Sequence, residues 1–322
     1  MQFQFQIARL ALALAAVALV PAAQAQAWPA RPVRIVVPFA PGGGTDILAR
    51  LMASKLGDRW NQSVVVENKA GCDGIIGTDL VAKSRPDGYN LAFVTPSHVI
   101  NPSVKASLPY NTLKDFAAIT MIASTPFVAV IGNGVAARNV REFVTYAKAQ
   151  PQALAFGSSD PSSRLAGELF KSLAGIDMLN VPYKGGAQTF TDVAGGHLPA
   201  GFASLMTVLP FQRGGTVRVL GVSGATRSPL MPDVPTLAEA GLAGYDASAW
   251  YGLVAPVGIA AEIPARIHQD VVQITRQPDV QENLLKVGAT AVASSPEVFT
   301  AFIANEVARS AQLVRNAGIK PE

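Results

Sequence analysis

Residues Pro38-Phe39-Ala40-Pro41-Gly42-Gly43-Gly44-Thr45-Asp46 directly follow the apolar run Val33–Val37. Together they predict a buried strand, a glycine-rich turn and a helix whose first turn holds Asp46. Three consecutive glycines let the backbone come close to a ligand, and the first amides of a helix have no partner within it. The sequence therefore predicts that the backbone grips a negatively charged group at the end of the first strand.

The glycine turn does not match the two common nucleotide-binding motifs. A P-loop needs G-x-x-x-x-G-K-[ST], and no Lys-Ser or Lys-Thr follows these glycines. A dinucleotide fingerprint starting at Gly42 needs a third glycine at the position of Ile47. A tight turn without any ligand remains an alternative. Thr45 either caps the helix or donates its hydroxyl to a bound oxygen, and Asp46 favours the positive end of the helix dipole.

Short apolar segments alternate with helical patterns along the rest of the chain, which predicts an α/β fold with largely parallel sheets. We expect Ser163 to cap a helix and Gly175 to end it. The predicted strands are 33–37, 63–67, 90–94, 119–123, 127–131, 153–156, 179–181, 200–203, 218–222 and 249–254. The predicted helices are 46–56, 75–83, 140–149, 163–173, 187–194, 264–275 and 296–317.

Three further polar loops follow predicted strands, at residues 95–98, 157–164 and 182–187. Ligands of open α/β sheets bind at the carboxyl ends of strands, which is where all of these loops lie. Any one of them is most simply a connecting turn. Their number predicts a ligand-binding cleft.

The length of 322 residues favours two domains over one. No low-complexity linker separates two halves, so a flexible tether is not expected. Extended crossings near residues 120–127 and 247–254 instead carry the chain into a second domain and back. We therefore predict a discontinuous first domain, 26–124 plus 248–322, and a second domain, 125–247.

The N-terminus has the pattern of an export signal. Arg9 precedes an apolar run over residues 10–20, and Ala23-Gln24-Ala25 follows as a cleavage site, with Ala27 as the second choice. The apolar run is shorter than the about 20 residues of a membrane span. The sequence thus predicts a signal peptide over residues 1–25 and a protein exported to the periplasm.

Composition and spacing argue against several classes of function. The net charge of +4 is too mild for nucleic-acid binding but is compatible with small anionic ligands. No serine lies in G-x-S-x-G, and His98, His197 and His268 are widely separated, so neither a hydrolase nor a metal site is indicated. We expect no enzyme activity, no metal and no cofactor, with a secreted hydrolase as the least favoured alternative.

Ordered motifs across nearly the whole mature chain resemble one family, the Bug-type receptors of tripartite tricarboxylate transporters. The first is the run of residues 28–46, and the others begin with Val65-Val66-Glu67-Asn68-Lys69. They continue with Gly77-Thr78-Asp79, Pro86-Asp87-Gly88-Tyr89, Leu165-Ala166-Gly167-Glu168, Val181-Pro182-Tyr183-Lys184-Gly185, Leu230-Met231-Pro232-Asp233-Val234-Pro235-Thr236, Glu239-Ala240-Gly241 and Trp250-Tyr251-Gly252-Leu253-Val254-Ala255-Pro256.

This resemblance implies a two-domain Venus-flytrap fold of the type II periplasmic binding proteins, acting as a monomer. Its ligands are small carboxylates: dicarboxylates, tricarboxylates, acidic amino acids or aromatic acids. The implied function is capture of such an acid in the interdomain cleft and its delivery to the permease subunits of a tripartite tricarboxylate transporter. Handing the loaded receptor to a membrane sensor kinase is the alternative. Neither the identity of the acid nor its aliphatic or aromatic character follows from the sequence.

The resemblance also implies which residues contact the ligand, although this chain departs from the family pattern at two positions of the 157–164 loop. Asp160 stands where glycine is common, and Arg164 stands where histidine is common. We hypothesise that Arg164 contacts a ligand carboxylate, the alternative being a surface pair with Asp160. The expected ligand-binding residues are Phe39, Gly42, Gly43, Gly44, Thr45, Asp46, Thr95, Ser97, His98, Ser158, Ser159, Arg164, Tyr183, Lys184 and Gly185.

Overall fold

The computed structural model describes residues 28–150, 152, 154–245 and 247–322. The chain divides into a unit Met1–Ala30 and a unit Arg31–Glu322, and the second contains all the elements given below. The expected signal peptide and its cleavage near Ala25 lie outside the described residues. Within those residues, none of the helices combines the length and the apolar character that crossing a membrane requires.

Strands and helices alternate from the start of the fold, as the sequence pattern predicts. The first elements are β1 (Val33–Val37), α1 (Gly44–Trp60), β2 (Val64–Asn68), α2 (Ile75–Ala82), β3 (Asn90–Val94), α3 (Ser97–Val104) and the long strand β4 (Phe116–Gly132). A 3-10 turn, Cys72–Gly74, precedes α2. The elements that follow are α4 (Val140–Lys148), β5 (Leu154–Ser158), α5 (Pro161–Ala174), β6 (Met178–Pro182), α6 (Gly186–Ala194), β7 (Ala200–Ser204), α7 (Leu205–Arg213) and β8 (Val217–Val222). The last are β9 (Ser248–Pro256), α8 (Glu262–Thr275), α9 (Pro278–Lys286), β10 (Thr290–Ala291) and α10 (Pro296–Asn316).

One strand arrangement occurs twice in the sheet, and β4 takes part in both copies. The first part has the order β2-β1-β3-β9-β4, in which β9 is antiparallel to its neighbours. The second has the order β6-β5-β7-β4-β8, in which β4 is the antiparallel member. The carboxyl ends of β1, β3, β5, β6 and β7 thereby carry the loops from which a site can be built.

The partners of β4 change at Pro126. Up to that residue β4 pairs with β9, and from Phe127 onwards it pairs with β7, while Val128 is the first to pair with β8. Proline has no N–H to donate to a ladder, which suits it to a point where pairing is interrupted. The prediction of two strands, at 119–123 and 127–131, is therefore wrong, since both belong to the one continuous strand β4.

Each part of the sheet has its own hydrophobic cluster. Val36, Trp250 and Phe299 belong to the first cluster, and Val128 and Phe190 belong to the second. These side chains are at most 2% exposed, so truncating a large one such as Phe299 to Ala would cost about 3–5 kcal/mol. Leu165 of α5 packs in the first cluster although its helix follows β5 of the second part.

Three helices were absent from the sequence expectation: α3, α7 and α9. Pro102 lies inside α3 and Pro210 inside α7, and an internal proline argues against a helix when only the sequence is considered. Helix α5 begins at Pro161 with Asp160 as its N-cap, so the expected cap Ser163 lies two residues inside it. The expected end of that helix is confirmed, since Gly175 has a left-handed φ of 61°.

Candidate functional site

A cavity of about 260 Å³ lies where the carboxyl ends of strands from both parts of the sheet converge. Its walls are the β1–α1 turn, the residues between β3 and α3, the β5–α5 loop, the β6–α6 loop and the end of β7. Tyr251 on β9 closes one side. The convergence follows from the repeated strand order, because parallel strands present their carboxyl ends at the same edge.

The β1–α1 turn is held in place by the carboxylate of Asp46. Its Oδ2 accepts hydrogen bonds of 3.0 Å from the amide of Gly42 and from Nε of Arg50, while Asn68 donates to Oδ1 at 3.0 Å. Burial by itself raises the pKa of Asp46, but the hydrogen bonds from Arg50, Gly42 and Asn68 outweigh it and hold the pKa below its usual value. Asp46 thus stabilises the turn through these hydrogen bonds and does not line the cavity.

The glycines of this turn differ in what each position requires. Gly42 has a φ of +83°, which disfavours any residue with a Cβ. A Cβ on Gly44 would lie 3.1 Å from both the sulfur of Met206 and the Tyr251 hydroxyl, whereas one on Gly43 would meet nothing within 4 Å. Gly43 is the N-cap of α1 and no side chain caps it, so the first amides of α1 have no side-chain acceptor and belong to residues that line the cavity.

A second uncapped helix N-terminus belongs to the opposite wall. Gly185 is the N-cap of α6 without a side-chain hydrogen bond, and Gly185, Gly186 and Lys184 all line the cavity. A Cβ on Gly185 would lie 3.9 Å from the Cβ of Ala40, so this turn directly faces the β1–α1 turn. Two positive helix ends therefore point at one space, which favours a negatively charged group there.

The N-terminus of α5, which also borders the cavity, is occupied by the protein's own carboxylate. Oδ1 of Asp160 accepts from the amides of Ser162 at 2.8 Å and Ser163 at 3.0 Å. The Asp160 amide in turn donates to Ser163 Oγ at 3.2 Å, which completes a capping box. The amides of Ser162 and Ser163 therefore already have an acceptor within the protein.

Hydroxyl groups form another wall of the cavity. The Tyr251 hydroxyl donates to Ser204 Oγ at 3.3 Å, and Ser204 Oγ lies 3.1 Å from the hydroxyl of Thr207. The pKa of Tyr251 is raised to about 12, chiefly by burial and also by the negative charge of Asp160, against the opposing effect of the Ser204 hydrogen bond. Tyr251 therefore stays protonated at neutral pH and keeps a proton to donate.

The structure brings together many of the residues expected to contact the ligand. Those that line the cavity are Phe39, Gly43, Gly44, Thr45, Thr95, Ser159, Lys184 and Gly185. Others of the expected set do not line it: Gly42, Asp46, Ser97, His98, Ser158, Arg164 and Tyr183. Gly42 and Asp46 build the turn, and Ser97 donates to Asp160 Oδ1 at 3.4 Å from a buried position.

His98 points away from the cavity into an aromatic environment. Its ring lies 5.0 Å from that of Phe116 and 6.2 Å from that of Tyr110, between centroids. Neither ring nitrogen has a hydrogen-bond partner among the described residues. Burial lowers the pKa of His98 to about 4, so the ring is neutral at pH 7.

Arg164 lies in a second depression, of about 550 Å³, which Ser158 and Tyr183 also line. Its guanidinium pairs with Glu322 at 2.6 Å, so its observed carboxylate partner is neither a residue of the first cavity nor Asp160. Ser158 donates to Asn180 at 2.6 Å and Tyr183 donates to Asp192 at 2.7 Å. Lys105 and Lys171, which also line this depression, have acidic partners of their own, so its charges are largely neutralised within the protein.

Several cavity residues were missed at the level of sequence. Ser204 directly follows a predicted strand, 200–203, and the rule applied to the other strand ends would have included it. Tyr251 lies in the middle of a crossing strand, and Thr207 lies in the unexpected helix α7. No local signal identifies these two residues. Among the described residues, no group of three or more His, Cys, Asp or Glu is arranged to hold a metal ion.

Comparison with known proteins gives one consistent family. The family "Tripartite tricarboxylate transporter family receptor" matches residues 48–319. Protein BugT of Bordetella pertussis is 35% identical over 300 residues, which cover 92% of this chain and 92% of BugT. The structure of R. palustris Rpa4515 with adipate has a TM-score of 0.89 and 33% identity, covering 92% of this chain and 100% of that protein.

A further solved structure, MatC from Rhodopseudomonas palustris with bound malate, has a TM-score of 0.84 and 28% identity. It covers 89% of this chain and 100% of MatC. These likenesses confirm the predicted fold, that of the two-domain α/β periplasmic binding proteins. They also place the chain among solute-binding receptors and not among enzymes. The chain belongs to the tripartite tricarboxylate transporter receptor family, and it is a periplasmic ligand-binding receptor.

Proposed function

We propose that this receptor binds a small organic carboxylate in the cavity and delivers it to the permease subunits of a tripartite tricarboxylate transporter. The observation that carries the proposal is the pair of uncapped N-termini, those of α1 and α6, on opposite walls of one cavity. An ionised carboxylate that leaves water needs charge-assisted hydrogen bonds in exchange. Free amides, the hydroxyls of Tyr251 and Ser204, and Lys184 offer them.

The size of the cavity limits the ligand. Its volume of about 260 Å³ lies just below the range of about 300–1,000 Å³ that is usual for drug-sized ligands. A metabolite with few carbon atoms suits this space. Adipate in Rpa4515 and malate in MatC are of that size and are both dicarboxylates, which supports a dicarboxylate as the first ligand to test.

Two carboxylates on one ligand have separate candidate partners. One fits the N-terminus of α1 at Gly43 and Gly44, next to Tyr251. The other fits the N-terminus of α6, next to Lys184, the only cationic side chain among the cavity-lining residues that the structure describes. The α5 terminus is a poor partner because Asp160 already occupies it.

We also propose that the domains are 26–124 plus 248–322 and 125–247, and that they close over the ligand. The change of β4 partners at Pro126 and the start of β9 at Ser248 support these boundaries. A ligand that contacts both walls shifts an open–closed equilibrium towards the closed state. Small-angle scattering of the mature protein should show a smaller radius of gyration with the bound acid than without it. Equal radii would contradict closure.

Binding itself is tested by thermal shift and calorimetry with succinate, malate and adipate. The neutral isostere succinamide is the matched control, since it keeps the shape of succinate and removes both charges. A bound acid should raise the melting temperature by several degrees at a large excess over Kd, and succinamide should not. Equal shifts for succinate and succinamide, or no shift with any acid, would contradict carboxylate binding.

Delivery requires a separate experiment. Uptake of the bound acid by cells that express the permease subunits should depend on the receptor and should stop when its gene is deleted. Uptake that is unaffected by the deletion, together with ligand-dependent capture of a membrane sensor kinase, would favour signalling over transport.

A further inference from the structure

The carboxylate of Asp160 is unusual among the groups that line the cavity because it is the only acidic one in the described part of the chain. Its two oxygens have different surroundings. Oδ1 accepts hydrogen bonds from the amides of Ser162 and Ser163 and from the hydroxyl of Ser162, and Ser97 donates to it at 3.4 Å. These four donors leave Oδ1 no free acceptor capacity.

Oδ2 is much less engaged. Among the described residues it accepts one hydrogen bond, from the hydroxyl of Ser159 at 3.2 Å. A carboxylate oxygen accepts about two hydrogen bonds, so Oδ2 retains room for one more. Ser159 and Asp160 line the second depression as well as the cavity, so a molecule bound in the cavity lies next to this carboxylate.

We propose that Asp160 selects a carboxylate that also carries a hydrogen-bond donor, either a hydroxyl or an ammonium group. This inference rests on the proposed carboxylate-binding function and adds the class of ligand. The acidic end of the ligand is bound at the uncapped helix N-termini, and its donor faces Oδ2 of Asp160. An ether, a ketone or a further carboxylate at that point has no proton to donate and meets a negative charge.

A purely structural role for Asp160 makes a different prediction. As the N-cap of α5, Asp160 uses Oδ1, and asparagine or serine caps a helix about as well. Asp160→Asn keeps an oxygen for the cap and replaces the other oxygen by an NH₂ group, which donates and does not accept. If Asp160 serves only as a helix cap, Asp160→Asn should not change the ligand preference. If Oδ2 selects the ligand, Asp160→Asn should reduce the preference for an acid that carries a donor.

The experiment measures Kd by calorimetry for three sets of acids: succinate, malate and aspartate; glutarate, 2-hydroxyglutarate and glutamate; benzoate and 4-hydroxybenzoate. The first acid of each set is the parent acid, which lacks the extra donor. In at least one set, the wild-type protein should bind a donor-bearing acid about 10-fold more tightly than the parent acid, as a hydrogen bond to a charged acceptor implies. Asp160→Asn and Asp160→Ser should each reduce this ratio by about fivefold or more. Asp177→Asn, which alters an exposed aspartate outside the cavity, should retain it.

The outcomes separate this inference from the proposed function. A wild-type protein that binds the parent acid as tightly as its donor-bearing relatives overturns the role of Asp160 and leaves carboxylate binding intact. An unchanged ratio in both Asp160 variants does the same. If no acid of any set binds to the wild-type protein, carboxylate binding itself fails, and this inference fails with it. Two variants are used so that a folding defect in one does not decide the result.

Discussion

The hydroxyl of Tyr251 donates a hydrogen bond of 3.3 Å to Ser204 Oγ, and the two residues come from different parts of the sheet. Tyr251 lies on β9, which pairs with β3 and β4, and Ser204 ends β7, which pairs with β4 and β5. Both line the cavity, and a Cβ on Gly44 would lie 3.1 Å from the Tyr251 oxygen. The phenol thus joins the glycine turn to the opposite wall.

Tyr251→Phe should weaken carboxylate binding about 10-fold. The change removes a buried donor next to the N-terminus of α1, and a hydrogen bond to a charged group contributes about 1.5–3 kcal/mol. Stability should fall by only about 1 kcal/mol, since Ser204 keeps its contact with Thr207. Calorimetric titration gives the affinity and urea unfolding gives the stability.

Tyr245→Phe is the matched control for this change. The Tyr245 hydroxyl donates to the carbonyl of Ala166 at 2.8 Å, is equally buried and does not line the cavity. This variant should lose about 0.5–1.5 kcal/mol of stability because one hydrogen bond is removed, while the Ala166 carbonyl lies inside α5 and keeps its helical donor. Its ligand affinity should match that of the wild type. Wild-type affinity in Tyr251→Phe as well would remove Tyr251 from the binding site.

The glycine turn allows a second comparison, between positions that are adjacent in sequence. Gly42→Ala places a Cβ at a φ of +83°, which costs about 1–2 kcal/mol of folding free energy. Gly43→Ala meets no heavy atom within 4 Å and should fold normally, with its methyl group in the space next to the α1 amides. We expect Gly43→Ala to weaken binding without loss of stability. Thermal melts and titrations of both variants check this, and wild-type affinity in Gly43→Ala would place the ligand elsewhere.

The local part of this site was predictable because its signals are local. An apolar run followed by three glycines predicts a strand, a turn and a helix start, and the structure has β1 and α1 at these positions. The α/β class followed from the same kind of pattern repeated along the chain. Gly175 at the end of α5 is a further example, since a left-handed residue after a helix is most often glycine.

The remainder of the site depends on contacts between residues distant in sequence. Arg164 was expected to contact the ligand or Asp160, and its partner Glu322 is 158 positions away. The resemblance implies that His98 contacts the ligand, but His98 lies in α3, a helix that the sequence pattern does not predict and that fixes the direction of its side chain. Tyr251 reaches the cavity only through the strand order, which periodicity does not encode.

Two cations distinguish the cavity from the second depression. Lys184 lines the cavity, and in the described residues it has no acidic partner, whereas Arg164 is paired with Glu322 and lines the other space. Lys184→Ala should weaken binding of a dicarboxylate about 5- to 10-fold, with a smaller effect in 0.5 M salt than in 0.05 M salt. Arg164→Ala should change affinity less than about twofold, because a partly exposed pair contributes little. A larger loss in Arg164→Ala than in Lys184→Ala would contradict this assignment.

His98 should make the fold sensitive to acid without affecting ligand binding. Burial lowers its pKa to about 4 in the folded protein, against 6.5 for an unperturbed histidine. The unfolded chain therefore takes up a proton between these two values and the folded protein does not. This contribution to stability is complete above pH 6.5, declines as the pH falls, and is fully lost below about 4. Between these pH values the His98 contribution to the free energy of unfolding changes by about 3 kcal/mol, because each unit of pKa shift corresponds to about 1.4 kcal/mol.

The variant His98→Phe isolates this contribution, since phenylalanine keeps a ring between Phe116 and Tyr110 and cannot titrate. Urea unfolding at pH 7 and pH 4.5 gives the loss of stability on acidification for each protein. We expect the loss to be about 2–3 kcal/mol smaller in His98→Phe than in the wild type, because all other titrating groups are common to both. Affinity at pH 7 should be unchanged, since His98 does not line the cavity. An equal loss in the two proteins would mean that His98 is solvated and titrates normally in the fold.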